Sequence, residues 1–158
     1  MEDVRLDETP RERANRELIE LLNELRVVLP GVTVLFAFLL AVPFAKGWDK
    51  VTPFERDVFI VAVLATGVAI VFLSAPSSFH RIRFRHGRKE QIVTTGNVMA
   101  MAGIASFAVA LEAAILLVVS YVLSRAAGIV AAAVVGGLVL LLWYGLPLAA
   151  AMRDRRAR

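Results

Sequence analysis

One acidic residue of this sequence lies far from every other charge. Glu112 is the only charged residue of an apolar stretch at 98–123. A carboxylate among apolar side chains is costly unless it is protonated, hydrogen-bonded or facing an internal cavity. We therefore keep two interpretations open. In the first, Glu112 binds and releases a proton or binds a cationic substrate; in the second, it is a neutral acid that is hydrogen-bonded to Thr66, Ser106, Tyr121 or a backbone carbonyl.

A second group of reactive residue types follows Pro76. Ser77 and Ser78 lie close to His80, and His86 is the only other histidine. Serine near histidine is a pair that nucleophilic catalysis uses, but small hydroxyl residues after a proline are more typical of turns and helix ends. Both histidines lie among arginines, whose charge opposes a metal cation. We expect no enzyme activity, no catalytic residue, no metal site and no cofactor, and a membrane-surface enzyme acting on lipid headgroups is the most distant alternative.

The composition indicates where these residues lie. The 158 residues include no cysteine, which excludes disulfides, thiolate nucleophiles and iron–sulfur clusters. Hydrophobic residues make up 58% of the chain, and four apolar stretches at 27–45, 58–75, 98–123 and 127–152 contain Glu112 and no other charged residue. This segregation excludes a soluble enzyme core, a disordered chain and a nucleic-acid-binding module. It predicts an integral membrane protein embedded in the lipid bilayer.

The elements that position these residues follow from the same pattern. We predict an all-α membrane protein in which a cytoplasmic amphipathic helix precedes four transmembrane helices. Leucines recur at intervals of three and four over 10–29, opposite glutamates, which is typical of an amphipathic helix. The predicted elements are a flexible N-terminus at 1–9, the amphipathic helix at 10–29, a four-helix transmembrane domain at 27–152 with spans at about 27–45, 54–75, 98–123 and 127–152, and a basic tail at 153–158.

Prolines and capping residues mark the predicted helix ends. Residues 9–12 (Thr-Pro-Arg-Glu) and 52–55 (Thr-Pro-Phe-Glu) each place a threonine before a proline, with a glutamate three residues after the threonine, which indicates a helix start. Pro30 predicts a bend before the first span, and Pro76 predicts the end of the second. The connection at 124–126 is so short that the third and fourth spans must form an antiparallel hairpin.

Small residues on the last two spans predict how this hairpin packs. They recur at every fourth position and form one ridge on each helix, and such ridges let helices approach closely. At about 100° per residue, Glu112 lies on nearly the opposite face from Ala110. If helix four packs on the small-residue ridge of helix three, Glu112 points to helix one, to helix two or to another protomer. A generic membrane composition is the alternative explanation of the small residues. The predicted packing residues are Ala102, Ser106, Ala110, Ala114, Gly128, Ala132 and Gly136.

Lysine and arginine counts predict the orientation in the membrane. The segments on the side of both termini carry 14 of the 18 basic residues, and the opposite connections carry 4. Such an excess is typical of cytoplasmic segments, so we place both termini in the cytoplasm. The N-terminal segment is acidic, with eight carboxylates, and we expect its helix to pack against the basic segment between helices two and three. The basic segment offers a site for anionic lipid or a partner and contains Arg81, Arg83, Arg85, Arg88 and Lys89.

The sequence resembles a known family in three places. These are residues 20–31 (ELLNELRVVLPG) running into 34–40 (VLFAFLL), residues 75–85 with their Phe-His-Arg and Phe-Arg runs, and residues 143–147 (WYGLP). Together they are similar to a family of small bacterial four-helix membrane proteins that is catalogued as a domain of unknown function. The resemblance covers about residues 15–150. It implies a bacterial inner-membrane location and brings no activity, ligand or catalytic residue.

These observations favour a structural, interaction or assembly role in the bacterial inner membrane. The opposed charges of two cytoplasmic segments favour docking of a partner or of anionic lipid. The small-residue ridges favour contact with a second copy of the chain or with another membrane protein. We expect no nucleic acid partner. The alternative function is that of a small proton- or cation-coupled transporter that uses Glu112.

Overall fold

The computed structural model of the chain describes residues 10–83 and 89–156. Within these ranges every element is helical and there is no strand, which confirms the predicted all-α class. The helices are α1 (Pro10–Ala41), α2 (Pro53–Arg83), α3 (Lys89–Val122), α4 (Arg125–Val139) and α5 (Leu146–Arg156), with 3-10 helices at Val42–Phe44 and Trp48–Lys50 and a π-helix at Leu140–Gly145.

Four helical stretches are long and apolar enough to cross a membrane, which confirms the predicted number. Their large apolar side chains are often exposed, as at Phe38 and Val130, and a hydrocarbon surrounding accommodates such surfaces without cost. The four stretches are Ile19–Phe44, Pro53–Ser78, Thr94–Val122 and Arg125–Ala150.

Helix α1 joins two elements that the sequence analysis separates. The predicted amphipathic helix at 10–29 and the predicted first span at 27–45 form one helix that continues through Pro30. A proline removes one backbone donor and crowds the preceding turn. Leu25 and Val32, on either side of Pro30, are buried in the same core. Packing on both sides of the proline therefore keeps the helix continuous, and the expected start of a new helix at this position is wrong.

The second proline prediction is also wrong, because α2 does not end before Pro76. It continues to Arg83, and α3 begins at Lys89, before the predicted start at residue 98. Pro76 is fully buried, and its Cβ lies 3.7 Å from the position that a Cβ on Gly96 of α3 would occupy. The ring therefore packs against a glycine of the neighbouring helix, and this contact offsets part of the cost of a proline inside a helix.

The chain forms two compact units. Unit 1 contains Met1–Leu40 and Ala65–Phe107, and so combines most of α1 with the second half of α2 and the first half of α3. Glycines bring these helices together: a Cβ on Gly103 would lie 2.7 Å from the side chain and 3.1 Å from the backbone nitrogen of Leu73. The buried core of unit 1 contains Leu25, Val32, Ala69, Leu73 and Ala100.

Unit 2 contains Ala41–Leu64 and Ala108–Arg158. The hairpin between α3 and α4 lies in this unit, and Ser124 begins α4 by accepting a hydrogen bond from the backbone N–H of Ala127 at 3.2 Å. The start of α2 has the predicted capping pair. The backbone N–H of Thr52 donates to Oε2 of Glu55 at 2.8 Å, and the backbone N–H of Glu55 donates to Oγ1 of Thr52 at 3.3 Å.

The fourth predicted span, at 127–152, is not one regular α-helix. It consists of α4, the π-helix and α5. The backbone N–H of Leu146 donates to the carbonyl of Leu141, five residues earlier, which is the hydrogen-bond spacing of a π-helix. Pro147 follows directly. Since Pro147 has no N–H and its ring crowds the preceding turn, a wider turn in front of it relieves a clash that a regular α-helix would contain.

Candidate functional site

Glu112 lies on the face of α3 that contacts α4. A Cβ built on Gly136 would lie 3.4 Å from Cδ and Oε2 of Glu112 and 3.5 Å from its Oε1. The missing side chain at residue 136 therefore leaves room for the carboxyl group between the two helices. Oε1 is buried and has no hydrogen-bond partner among the described residues. Burying a carboxyl oxygen without a hydrogen-bond partner costs free energy. A proton, a cation or a hydrogen-bond donor that binds this atom would offset that cost.

The hydrogen bond that the sequence analysis expects for Glu112 is not formed by Oε1. The hydroxyl of Ser106 donates to the carbonyl of Ala102 at 2.9 Å. The hydroxyl of Tyr121 lies 2.5 Å from the position of a Cβ on Gly47. Oε1 of Glu112 therefore has no hydrogen bond within the described part of the chain, and both interpretations of Glu112 stay open.

The face of α3 that α4 occupies differs from the predicted one. A Cβ on Gly128 would lie 2.9 Å from the carbonyl oxygen of Leu116 and 3.0 Å from the nitrogen of Ser120. Together with the contact between Gly136 and Glu112, this places α4 over residues 112, 116 and 120, which share one helical face. The condition that α4 packs on the small-residue ridge of α3, under which Glu112 would point away from α4, is therefore not met.

The reason lies in the glycines of α4. A glycine on one helix creates enough space for a larger side chain on the other, so two facing ridges of small residues are not required for close approach. The predicted ridge on α3 divides between the units: Ala102 and Ser106 lie in unit 1, and Ala110, which is fully buried, lies with Ala114 in unit 2. Ala132, in the predicted ridge of α4, is half-buried.

Ser120 is a second polar residue on this face, and the sequence analysis does not single it out. Its Oγ is buried, has no hydrogen-bond partner among the described residues, and lies directly against Gly128. Residues 112 and 120 are eight positions apart on α3, as are their facing glycines 128 and 136 on α4. That matched spacing is the signal in the sequence that predicts an antiparallel contact between these positions.

The basic segment lies at one end of α2 and α3. The backbone places Arg81 and Arg83 in the last turn of α2 and Lys89 at the first position of α3. Arg85 and Arg88 lie outside the described residues, as does His86. Ser77 and Ser78 are exposed on α2. No group of three or more histidines or acidic residues in the described ranges is arranged to hold a metal ion.

Helix α1 packs on α3 beside this basic end. The Cδ2 atom of Leu21 lies 3.3 Å from the position of a Cβ on Gly96, and Leu25 of the same apolar stripe is buried. Charged side chains pair along the helix, since Nε of Arg13 donates to Oε1 of Glu17 at 3.1 Å. An exposed pair of this kind contributes little to stability. Leu21 and Leu25 therefore pack α1 within unit 1, while Glu20 and Glu24 are exposed.

Unit 2 also contains a cavity of about 150 Å³ between the connection of α1 to α2 and the end of α3. Its wall is largely apolar. Trp48 on this wall packs its ring edge-to-face against Phe59, with ring centres 4.8 Å apart. The lining residues include Val42, Lys46, Trp48, Val51, Leu117 and Tyr121.

Comparison with known proteins places the chain in a family. No curated protein and no solved structure matches it. A family model described as a family of unknown function, DUF6328, matches residues 7–147, which agrees with the resemblance expected over about residues 15–150. Since the match covers most of the sequence, the chain belongs to DUF6328, a family of unknown function.

Proposed function

We propose that this protein is an integral protein of the bacterial inner membrane with a structural, interaction or assembly role. Four apolar helices and an uneven distribution of lysine and arginine support this proposal. In the proposed orientation both termini and the basic segment are cytoplasmic. The basic segment and the acidic surface of α1 then form one polar end that binds other molecules at the membrane surface.

One observation carries this proposal: three helices continue together beyond their apolar stretches. Leu21 of α1 and Pro76 of α2 both lie against Gly96 of α3. Beyond this level α1 extends back to Pro10, α2 extends to Arg83, and α3 extends back to Lys89. The polar end therefore continues directly from three helices that pack on one another at Gly96.

The arginines of this end are placed for anionic ligands. Arg81 and Arg83 follow the end of the second apolar stretch, at Ser78, by about one helical turn. This is the level at which basic side chains meet lipid headgroups, and each basic residue near an anionic surface adds to binding. Anionic headgroups are therefore the ligand that we expect, and an acidic surface of a partner protein offers the same charge.

Charge reversal tests the proposed interaction. Replacing Arg81, Arg83 and Arg85 by glutamate should remove anionic phospholipid that co-purifies with the protein, as counted by mass spectrometry, and should abolish cross-linking to neighbouring proteins in the membrane. The matched control reverses Arg153, Arg155 and Arg156 of the tail, which changes the charge equally on the same side. Unchanged lipid retention and unchanged cross-linking in the first variant would contradict the proposal.

A second candidate function, proton- or cation-coupled transport, is favoured by the buried Oε1 of Glu112, which has no partner in the described ranges. A buried carboxyl oxygen that makes no structural hydrogen bond is able to bind a proton or a cation. Proteoliposomes that contain the wild type or Glu112→Gln would be compared for proton-coupled flux. Loss of flux in the variant supports transport, whereas equal flux, or none in either protein, removes this candidate.

A further inference from the structure

We propose that the cavity between the α1–α2 connection and the end of α3 binds one anionic phospholipid of the surrounding bilayer. The inference goes beyond the proposed docking role, because the cavity lies in unit 2 and the basic segment lies in unit 1. It rests on the proposed membrane location.

The walls of this cavity are held by two close contacts. Gly47 has φ +97°, a conformation that favours glycine, and a Cβ there would lie 2.5 Å from the hydroxyl of Tyr121. The connection therefore passes directly over the end of α3. On the other side, the edge-to-face contact with Phe59 fixes the ring of Trp48. Both sides of the cavity are thus lined by residues that contact neighbouring parts of unit 2.

The chemistry of the lining selects an amphiphile. Apolar side chains such as Val42, Val51 and Leu117 form most of the wall, and they suit an acyl chain. Lys46 is the one charged residue of the lining, is exposed, and forms no ion pair with a described residue. An apolar wall with a single free ammonium group at its edge fits a ligand that joins a hydrocarbon chain to an anion.

The level of the cavity points to a lipid of the bilayer. Its lining includes the end of the first apolar stretch, which finishes at Phe44, and residues close to the end of the third, which finishes at Val122. Val118 and Tyr121 on the lining are exposed at 59% and 49%. An acyl chain can therefore enter from the hydrocarbon side while its phosphate stays at the headgroup level, where tryptophan, tyrosine and lysine are favoured.

Fluorescence of Trp48 tests this assignment in the full-length protein. Trp143→Phe leaves Trp48 as the single tryptophan. The protein is reconstituted in phosphatidylcholine vesicles with a small fixed fraction of lipid brominated on the acyl chain, either phosphatidylglycerol or phosphatidylcholine. We expect quenching by the anionic lipid to exceed quenching by the zwitterionic lipid about fivefold, the preference that one lysine near the headgroup provides. Equal quenching by the two lipids would overturn the proposal.

Matched variants assign the selectivity to Lys46. Lys46→Ala should reduce the quenching ratio to about one. Lys46→Arg should keep the preference, and so should Lys50→Ala, which removes a neighbouring lysine that is not among the lining residues. Val51→Phe, which fills the cavity, should reduce quenching by the anionic lipid. An unchanged ratio in Lys46→Ala, with normal ratios in the two controls, would overturn the proposal.

The fluorescence test of the lipid site and the charge-reversal test of the docking role can fail independently. Failure of charge reversal at Arg81, Arg83 and Arg85 leaves the fluorescence test unaffected, because those residues lie in the other unit. Absence of quenching by either lipid would contradict both the lipid site and the membrane location. Quenching by brominated free fatty acid in place of phosphatidylglycerol would identify a different amphiphile and would overturn the phospholipid assignment.

Discussion

At the scale of single residues, two glycines of α4 determine how closely it approaches α3. Gly128 lies over the backbone of Leu116 and Ser120, and Gly136 lies over the carboxyl group of Glu112. Contact with backbone atoms leaves no flexible side chain that can move aside. The α3–α4 interface is therefore more sensitive to a methyl group at residue 128 than at residue 136, where a side chain can adjust.

Gly128→Ala should lower the free energy of unfolding by about 1–3 kcal/mol, because its methyl group would overlap Ser120 and the carbonyl of Leu116. Gly137→Ala is the matched control. A Cβ on Gly137 meets nothing within 4 Å, and alanine favours a helix, so stability should stay the same or rise slightly. Chemical unfolding in mixed micelles measures both values, and equal destabilisation by the two substitutions would contradict the described interface.

At the scale of elements, a helix start that depends on a local capping pair is predicted well, and the effect of a proline is not. The start of α2 depends on Thr52 and Glu55, three residues apart, and both hydrogen bonds form as predicted. Pro30 and Pro76 were expected to interrupt helices, yet both lie inside one. A capping pair satisfies its bonds within one turn, whereas the effect of a proline depends on packing against distant residues such as Gly96.

The capping pair gives a prediction at this scale. Thr52→Ala should lower the free energy of unfolding by about 1 kcal/mol, because the backbone N–H of Glu55 loses its acceptor. Thr52→Ser keeps the hydroxyl and should retain most of the stability. The same unfolding measurement compares the three proteins. If the Thr52→Ala variant is as stable as the wild type, the capping bonds do not stabilise the start of α2.

The position of Glu112 was only partly predictable from the sequence. Its isolation among apolar residues identifies it directly. Its direction depends on which face of α3 the helix α4 occupies. Periodicity alone cannot select that face, because small residues occur on several faces of α3. The pairing of residues 112 and 120 with glycines 136 and 128 becomes evident once the antiparallel register of α3 and α4 is known.

At the scale of the whole molecule, charge and hydropathy together organise the chain. The four apolar stretches at 27–45, 58–75, 98–123 and 127–152 contain one acidic residue, Glu112, and the basic residues gather in alternate connections and at the termini. Membership of DUF6328 assigns no activity. The proposed interaction role depends on this orientation, because it requires the basic ends of α2 and α3 and the acidic end of α1 to face one compartment.

The most direct test of the proposed orientation uses the absence of cysteine from the chain. Single-cysteine variants Asp49→Cys and Ser78→Cys, both at exposed positions, would be treated in intact cells with a membrane-impermeant maleimide. The proposed orientation predicts labelling of Asp49→Cys in intact cells and labelling of Ser78→Cys only after the inner membrane is permeabilised. Labelling of Ser78→Cys in intact cells, with Asp49→Cys protected until permeabilisation, would contradict it.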